Sequence, residues 1–119
     1  MTIFPVDSVS ENSIISTSLE KSKYFVVYNK NSIKIEPNPS TYGVELIQWL
    51  NDKGVSSIII KEMEINPYNK LKNSRIKIYH VGDKAKKINE IINSFKNKKL
   101  ELLNNDRMLE IVKLHEGRM

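Results

Sequence analysis

The sequence contains no cysteine, and that absence removes disulfides, thiolate nucleophiles and thiolate metal ligands together. Its two histidines are His80 and His115, so a zinc site of the Cys/His type is excluded. No apolar run in the sequence approaches the roughly 20 residues that a membrane-spanning helix needs. Residues 1–7 lack the basic stretch and apolar core of a secretion signal, so the expected location is the cytoplasm. Glycine and proline are scarce, at four each, so each one is informative as a break between elements.

What remains is the make-up of a small globular protein. A chain of 119 residues fits one domain with a single core. The net charge of +5 is unevenly spread. Residues 69–99 hold ten Lys/Arg against two Asp/Glu, a local +8, which leaves −3 for the rest of the chain. Such a segment can attract an anionic ligand, nucleic acid or an acidic protein, or simply form a solvated face.

The pattern of apolar residues gives the order of elements. Residues 2–6 form a short β-prone run, and residues 8–22, rich in Ser, Asn and Glu, a loop with Ile14 and Ile15 turned inward. Residues 23–28 and 32–36 read as two strands of a hairpin around Asn29-Lys30-Asn31. After Pro37-Asn38-Pro39, Ser40 or Thr41 can cap a helix with the stripe Val44, Leu46, Ile47 and Leu50, beside Trp49 and stopped by Gly54. Ile58-Ile59-Ile60 is a strand buried on both faces. Asn66-Pro67 marks a second helix start, and residues 75–81 a further strand. Asp83 can cap a third helix with the stripe Ala85, Ile88, Ile91, Ile92 and Phe95. A short helix over residues 106–115 ends the chain. An antiparallel hairpin followed by β-α-β units makes an α/β fold, with a mixed five-stranded sheet flanked by helices. The division expected is a domain over residues 1–103 and a helical tail over 104–119. Ligands of such sheets bind beyond the carboxyl ends of the parallel strands, here at Asp7-Ser8, residues 61–66 and residues 80–82.

A set of ordered motifs adds a resemblance. They are Pro5-Val6-Asp7-Ser8, Lys23-Tyr24-Phe25 after a serine-rich loop, Asn38-Pro39, Trp49-Leu50 and Lys53-Gly54-Val55. Residues 66–71, the strand Arg75-Ile76-Lys77-Ile78-Tyr79, Gly82 and Lys98-Lys99-Leu100 continue the series. Together they resemble the dinitrogenase iron–molybdenum cofactor biosynthesis family, over roughly residues 1–103. The resemblance implies a ribonuclease H-like fold and a role in carrying or helping to assemble an iron–sulfur or iron–molybdenum cluster. It also implies a nitrogenase-type protein partner and a link to nitrogen fixation. The chain departs from the family pattern where a ligand would sit. Ser18 and Glu20 stand at a family His and Gly, and residues 61–64 replace a glycine-rich turn.

The candidate cofactor-binding residues are Asp7, Ser18, Glu62, Met63, Asn66 and His80. Each also has an ordinary structural role open to it: Asp7 as a turn former, Met63 as a core filler, and His80 as a hydrogen-bonded histidine at the sheet end. Lys61 and Glu64 sit at the same edge. The first functional reading is a non-catalytic binding, carrier or accessory protein, with no catalytic residue assigned. The second is a divergent member that binds a protein or dimerises through Met108, Leu109, Val112 and Leu114. Last comes a metal-dependent nuclease using Asp7, Glu45 and Glu62 or Glu64. Neither a membrane nor nucleic acid is an expected partner.

Overall fold

In a computed structural model describing residues 1–84 and 86–118, six strands form one mixed sheet in the order β3-β2-β1-β4-β5-β6. They are β1 (Thr2–Val6), β2 (Tyr24–Asn29), β3 (Ser32–Pro37), β4 (Ser57–Ile60), β5 (Lys77–His80) and β6 (Glu101–Leu102). β1, β4 and β5 run parallel, while β2, β3 and β6 are antiparallel to their neighbours. The helices are α1 (Leu46–Lys53), α2 (Ile65–Leu71), α3 (Ile88–Lys96) and α4 (Asn105–Glu116). The fold is α/β and ribonuclease H-like. The sheet has six strands instead of five, because Glu101 and Leu102 pair briefly with His80 and Tyr79. Two residues are too few to show as a period-two pattern in the sequence.

The period of the strands divides the core in two. Ile3, Phe25, Val27, Ile58, Ile60 and Ile78 face one side, where they meet Leu46 and Leu50 of α1, Leu71 of α2, and Met108, Ile111 and Val112 of α4. Phe4, Val6, Val26 and Ile59 face the other side, where α3 supplies Ile88, Ile91 and Ile92. Three helices thus cover one face and one helix covers the other. The helical segment expected over residues 104–119 packs, as α4, on the same core as α1 and α2. Met108 and Val112, expected at a subunit contact, are buried in the chain's own core, whereas Leu114 is exposed.

Helix boundaries differ from expectation for local reasons. The first helical stretch is split. Asn38 starts a 3-10 turn over Pro39–Tyr42, and Gly43 ends it in the left-handed region at φ 79°. The glutamate Glu45, not Ser40 or Thr41, then caps α1 by accepting from Gln48 N, and Val44 is left exposed before the helix. α2 begins after Glu64, so Asn66 lies inside its first turn and is not the cap. α3 begins at Ile88, where Glu90 accepts from Lys87 N at 3.0 Å. Asp83 is left in the preceding loop, and Ala85 lies outside the described residues. Part of that loop is pinned elsewhere: Ile15 N donates to Lys86 O, and Ile14 bridges to Lys87. On extended backbone neighbouring side chains point apart, so Ile15 is buried and Ile14 is 53% exposed, not tucked inward.

Candidate functional site

The three parallel strands end side by side at Val6, Ile60 and His80. The chain leaves each of them into the region where open α/β sheets receive ligands. The serine-rich loop crosses this edge and is tied down by Asn38, a fully buried residue. Asn38 Nδ2 donates to the carbonyls of Ser22 at 2.8 Å and Glu20 at 3.1 Å. Asp7 is exposed, and its Oδ1 accepts from Lys23 N at 3.2 Å, which closes the loop's far end.

Two glutamates follow β4, and both are engaged. Glu64 reaches into the serine-rich loop. Its carboxylate accepts from Ser18 Oγ at 2.5 Å, from Leu19 N at 3.0 Å and from Glu20 N at 3.3 Å. Ser18 Oγ in turn accepts from Lys21 N at 2.7 Å. Converging backbone N–H groups of this kind form an anion-binding concavity. Here the anion is the chain's own Glu64, which explains why that side chain does not cap α2.

Glu62 is buried at 5% exposure, and a buried carboxylate requires partners. They come from the last turn of α4 and from the residue after its C-cap. His115 Nδ1 lies 2.9 Å from Glu62 Oε1, and Arg118 Nη1 lies 2.6 Å from Oε2. The second contact is an ion pair by distance without hydrogen-bond alignment, so Oε2 accepts no oriented hydrogen bond. His80 is buried beside this pair, with Nε2 3.1 Å from the Lys61 carbonyl. Lys61 Nζ donates to the Asp83 carbonyl at 3.1 Å. A cavity of about 40 Å³ remains between Lys61, Glu62, His80, Asp83, Arg107 and Arg118. That is room for a few water molecules, not for a cluster. A wider groove of about 310 Å³ lies at the end of β1, lined by Asp7, Ser8, Ser13, Ile14, Ile15, Ser16 and Thr17.

The predicted residues are therefore dispersed. Glu62 and His80 share one small cavity. Ser18 belongs to the Glu64 concavity, and Asp7 borders the separate groove. Met63 is fully buried in the core, so its sulfur offers nothing to the surface. Asn66 is exposed on α2. The sequence reading missed Arg107 and Arg118 and gave little weight to His115. A usable signal existed: residues 108, 111, 112 and 115 continue one helical stripe, which carries His115 toward the same covered face.

The sequence model of the family described as dinitrogenase iron-molybdenum cofactor matches residues 1–98. The chain belongs to that family. A comparison with curated proteins found no match. Among solved structures, a Thermotoga protein described as a candidate NifB is 22% identical, with TM-score 0.70 over 86% of this chain and 91% of that one. A candidate dinitrogenase of Methanocaldococcus jannaschii is 23% identical, with TM-score 0.62 over 86% and 92%. The apo form of the orange protein from Desulfovibrio gigas is 10% identical, with TM-score 0.71 over 86% and 91%. At these identities the likeness is one of fold. The family match ends before β6 and α4, so His115 and Arg118, the partners of Glu62, lie outside the family's common segment.

Membership of the dinitrogenase iron–molybdenum cofactor family raises the question of what donors the chain offers a cluster. Iron–sulfur clusters are held mainly by cysteine thiolates, with histidine as a substitute, and this chain has no cysteine. Among the described residues no three His, Asp or Glu side chains converge as a metal-binding group. Glu62 and Glu64 already accept from protein donors, and the groove near Asp7 adds only serine and threonine hydroxyls to one carboxylate. These residues do not fit a cluster ligated by this edge. The carboxylates proposed for a nuclease are scattered in the same way. Glu45 pairs with Lys70 at 2.9 Å, while Glu62 and Glu64 are held as described.

Proposed function

We propose that this chain is a non-catalytic accessory protein of iron–molybdenum cofactor biosynthesis, acting on a cluster that a nitrogenase-type protein holds with its own ligands. Family membership over residues 1–98 supports the biosynthetic setting. The observation that carries the finer reading is the engagement of both edge glutamates. Glu64 fills the Ser18–Glu20 concavity, and Glu62 is covered by His115 and Arg118. An edge whose carboxylates are held within the chain leaves Lys61, the exposed Arg118 beside Glu62 and the hydroxyls of the serine loop to meet a partner. Such a surface suits an acidic protein face near an anionic cluster.

The test is association with a cluster-loaded nitrogenase-type protein under anaerobic conditions, read by light scattering after gel filtration. Charge reversal at the half-buried Lys61 and the exposed Arg118, Lys61→Glu with Arg118→Glu, is expected to abolish a co-eluting complex that the native chain forms. A native chain that never co-elutes contradicts the reading, and so does a doubly reversed chain that binds equally well.

A further inference from the structure

The opposite face of the sheet holds a feature that the edge chemistry does not use. Six strands spaced about 4.8 Å apart make a face roughly 24 Å across, while the nine residues of α3 extend only about 14 Å. The single helix on this side leaves part of the sheet open. Beside its last turn is a cavity of about 530 Å³ lined by Tyr28, Tyr79, Phe95, Leu100 and Leu102, with Lys96 and Lys98. Its size falls within the range of about 300–1,000 Å³ typical of small-molecule sites, and its lining has their usual make-up of apolar rings with a few polar groups.

The rings are arranged around Phe95. Tyr79 meets it edge-on with centroids 5.4 Å apart, and Tyr28 does so at 6.5 Å. The Tyr28 hydroxyl is already committed to Asn31 Oδ1 at 3.0 Å, which leaves the ring as its contribution to the cavity. No carboxylate lines the space, and among the described residues neither Lys96 nor Lys98 is in an ion pair.

Lys98 adds an independent observation. α3 closes with Lys98 N donating to Phe95 O and Lys99 N to Ser94 O, the paired bonds of a Schellman stop. That stop needs a left-handed residue, and Lys98 takes it at φ 57°. Glycine serves this position without steric cost, whereas a lysine is strained there. Backbone strain of this kind gathers at ligand sites. Here it places a cation on the rim of the aromatic cavity.

We propose that this cavity binds a planar aromatic molecule carrying an anionic group, its ring against Tyr28, Tyr79 and Phe95 and its charge toward Lys96 and Lys98. The site lies on the face opposite α1, α2 and α4, so it stands apart from the carboxyl edge and does not rest on the role proposed there.

The test is a ¹H–¹⁵N NMR titration of the full chain with 1-naphthalenesulfonate, and with neutral 1-naphthalenemethanol as the comparison. Shifts are expected to cluster at Tyr28, Tyr79 and residues 95–102, with the sulfonate bound about fivefold or more tighter than the alcohol. Lys98→Gly is informative because it suits the turn. It should raise the melting temperature while weakening sulfonate binding about fivefold, and Lys96→Gln should weaken binding without that gain. Shifts centred elsewhere, equal affinity for the two probes, or undiminished binding by Lys98→Gly would each overturn the proposal. So would a mass twice that of the chain with this face protected before any probe is added, since a second copy would then be the occupant.

Discussion

Glu64 shows how one side chain can decide what a surface is able to bind. Its carboxylate satisfies a hydroxyl and two backbone N–H groups that otherwise face the ligand edge. Hydrogen bonds to a charged acceptor contribute about 1.5–3 kcal/mol each when partly buried, and their losses are not additive. Glu64→Ala should therefore destabilise the chain by about 2–3 kcal/mol in urea unfolding, with loss of amide protection at Leu19 and Glu20. Glu45 gives a smaller effect with a definite pH sign. The Lys70 side chain and the Gln48 N–H hold its carboxyl below the ordinary value of 4.5. A folded pKa below the unfolded one contributes stability above that ordinary value and loses it as pH falls through the folded pKa. Glu45→Gln should flatten the stability–pH curve below about pH 4.5 and leave its shape at neutral pH unchanged. The effect is small because both partners are about half exposed.

At the level of elements, α4 is the part whose place the sequence left least defined. Its apolar positions, Met108, Leu109, Ile111, Val112 and Leu114, stand among charged residues, a pattern that fits an outer helix, a tail or a subunit contact equally well. The structure buries Met108, Ile111 and Val112 against the sheet. Each such side chain is worth roughly 1.5–3 kcal/mol on burial. Removal of residues 104–119 should thus cost more than a domain of this size can spare, and the truncated chain should lose its cooperative thermal transition by circular dichroism. The strands were far more legible. Thr2–Val6 is bounded by its own turn residues, and Ile58-Ile59-Ile60 has no polar alternative to a buried strand. The hairpin was legible from Asn29-Lys30-Asn31, where Lys30 and Asn31 adopt positive φ. Helix starts were harder because caps compete. Asn38 rather than Ser40 begins the first turn, Gly43 interrupts it, and Glu45 restarts it three-dimensionally through a bond to Gln48 N. At the site, strand order alone points to the carboxyl edge of β1, β4 and β5. It could not see that Glu62 and Glu64 are answered by residues 53 and 46 positions away, because long-range partners leave no local spacing.

For the whole molecule, the uneven charge bears on association. The excess of cations in residues 69–99 lies on a chain whose other segments are net acidic. Association driven by such an asymmetry weakens as salt shortens the screening length, from about 10 Å at 0.1 M to about 3 Å at 1 M. Binding to the nitrogenase-type protein should accordingly slow and weaken steeply between these salt concentrations. The central claim is that the chain acts on a cluster held by another protein and does not ligate one itself. Anaerobic incubation of the purified chain with an iron–sulfur cluster donor and molybdate, followed by desalting and metal analysis, tests that claim most directly. The account predicts iron and molybdenum no higher than on a cysteine-free control protein of equal charge, whereas stoichiometric metal with a cluster absorbance band would contradict it.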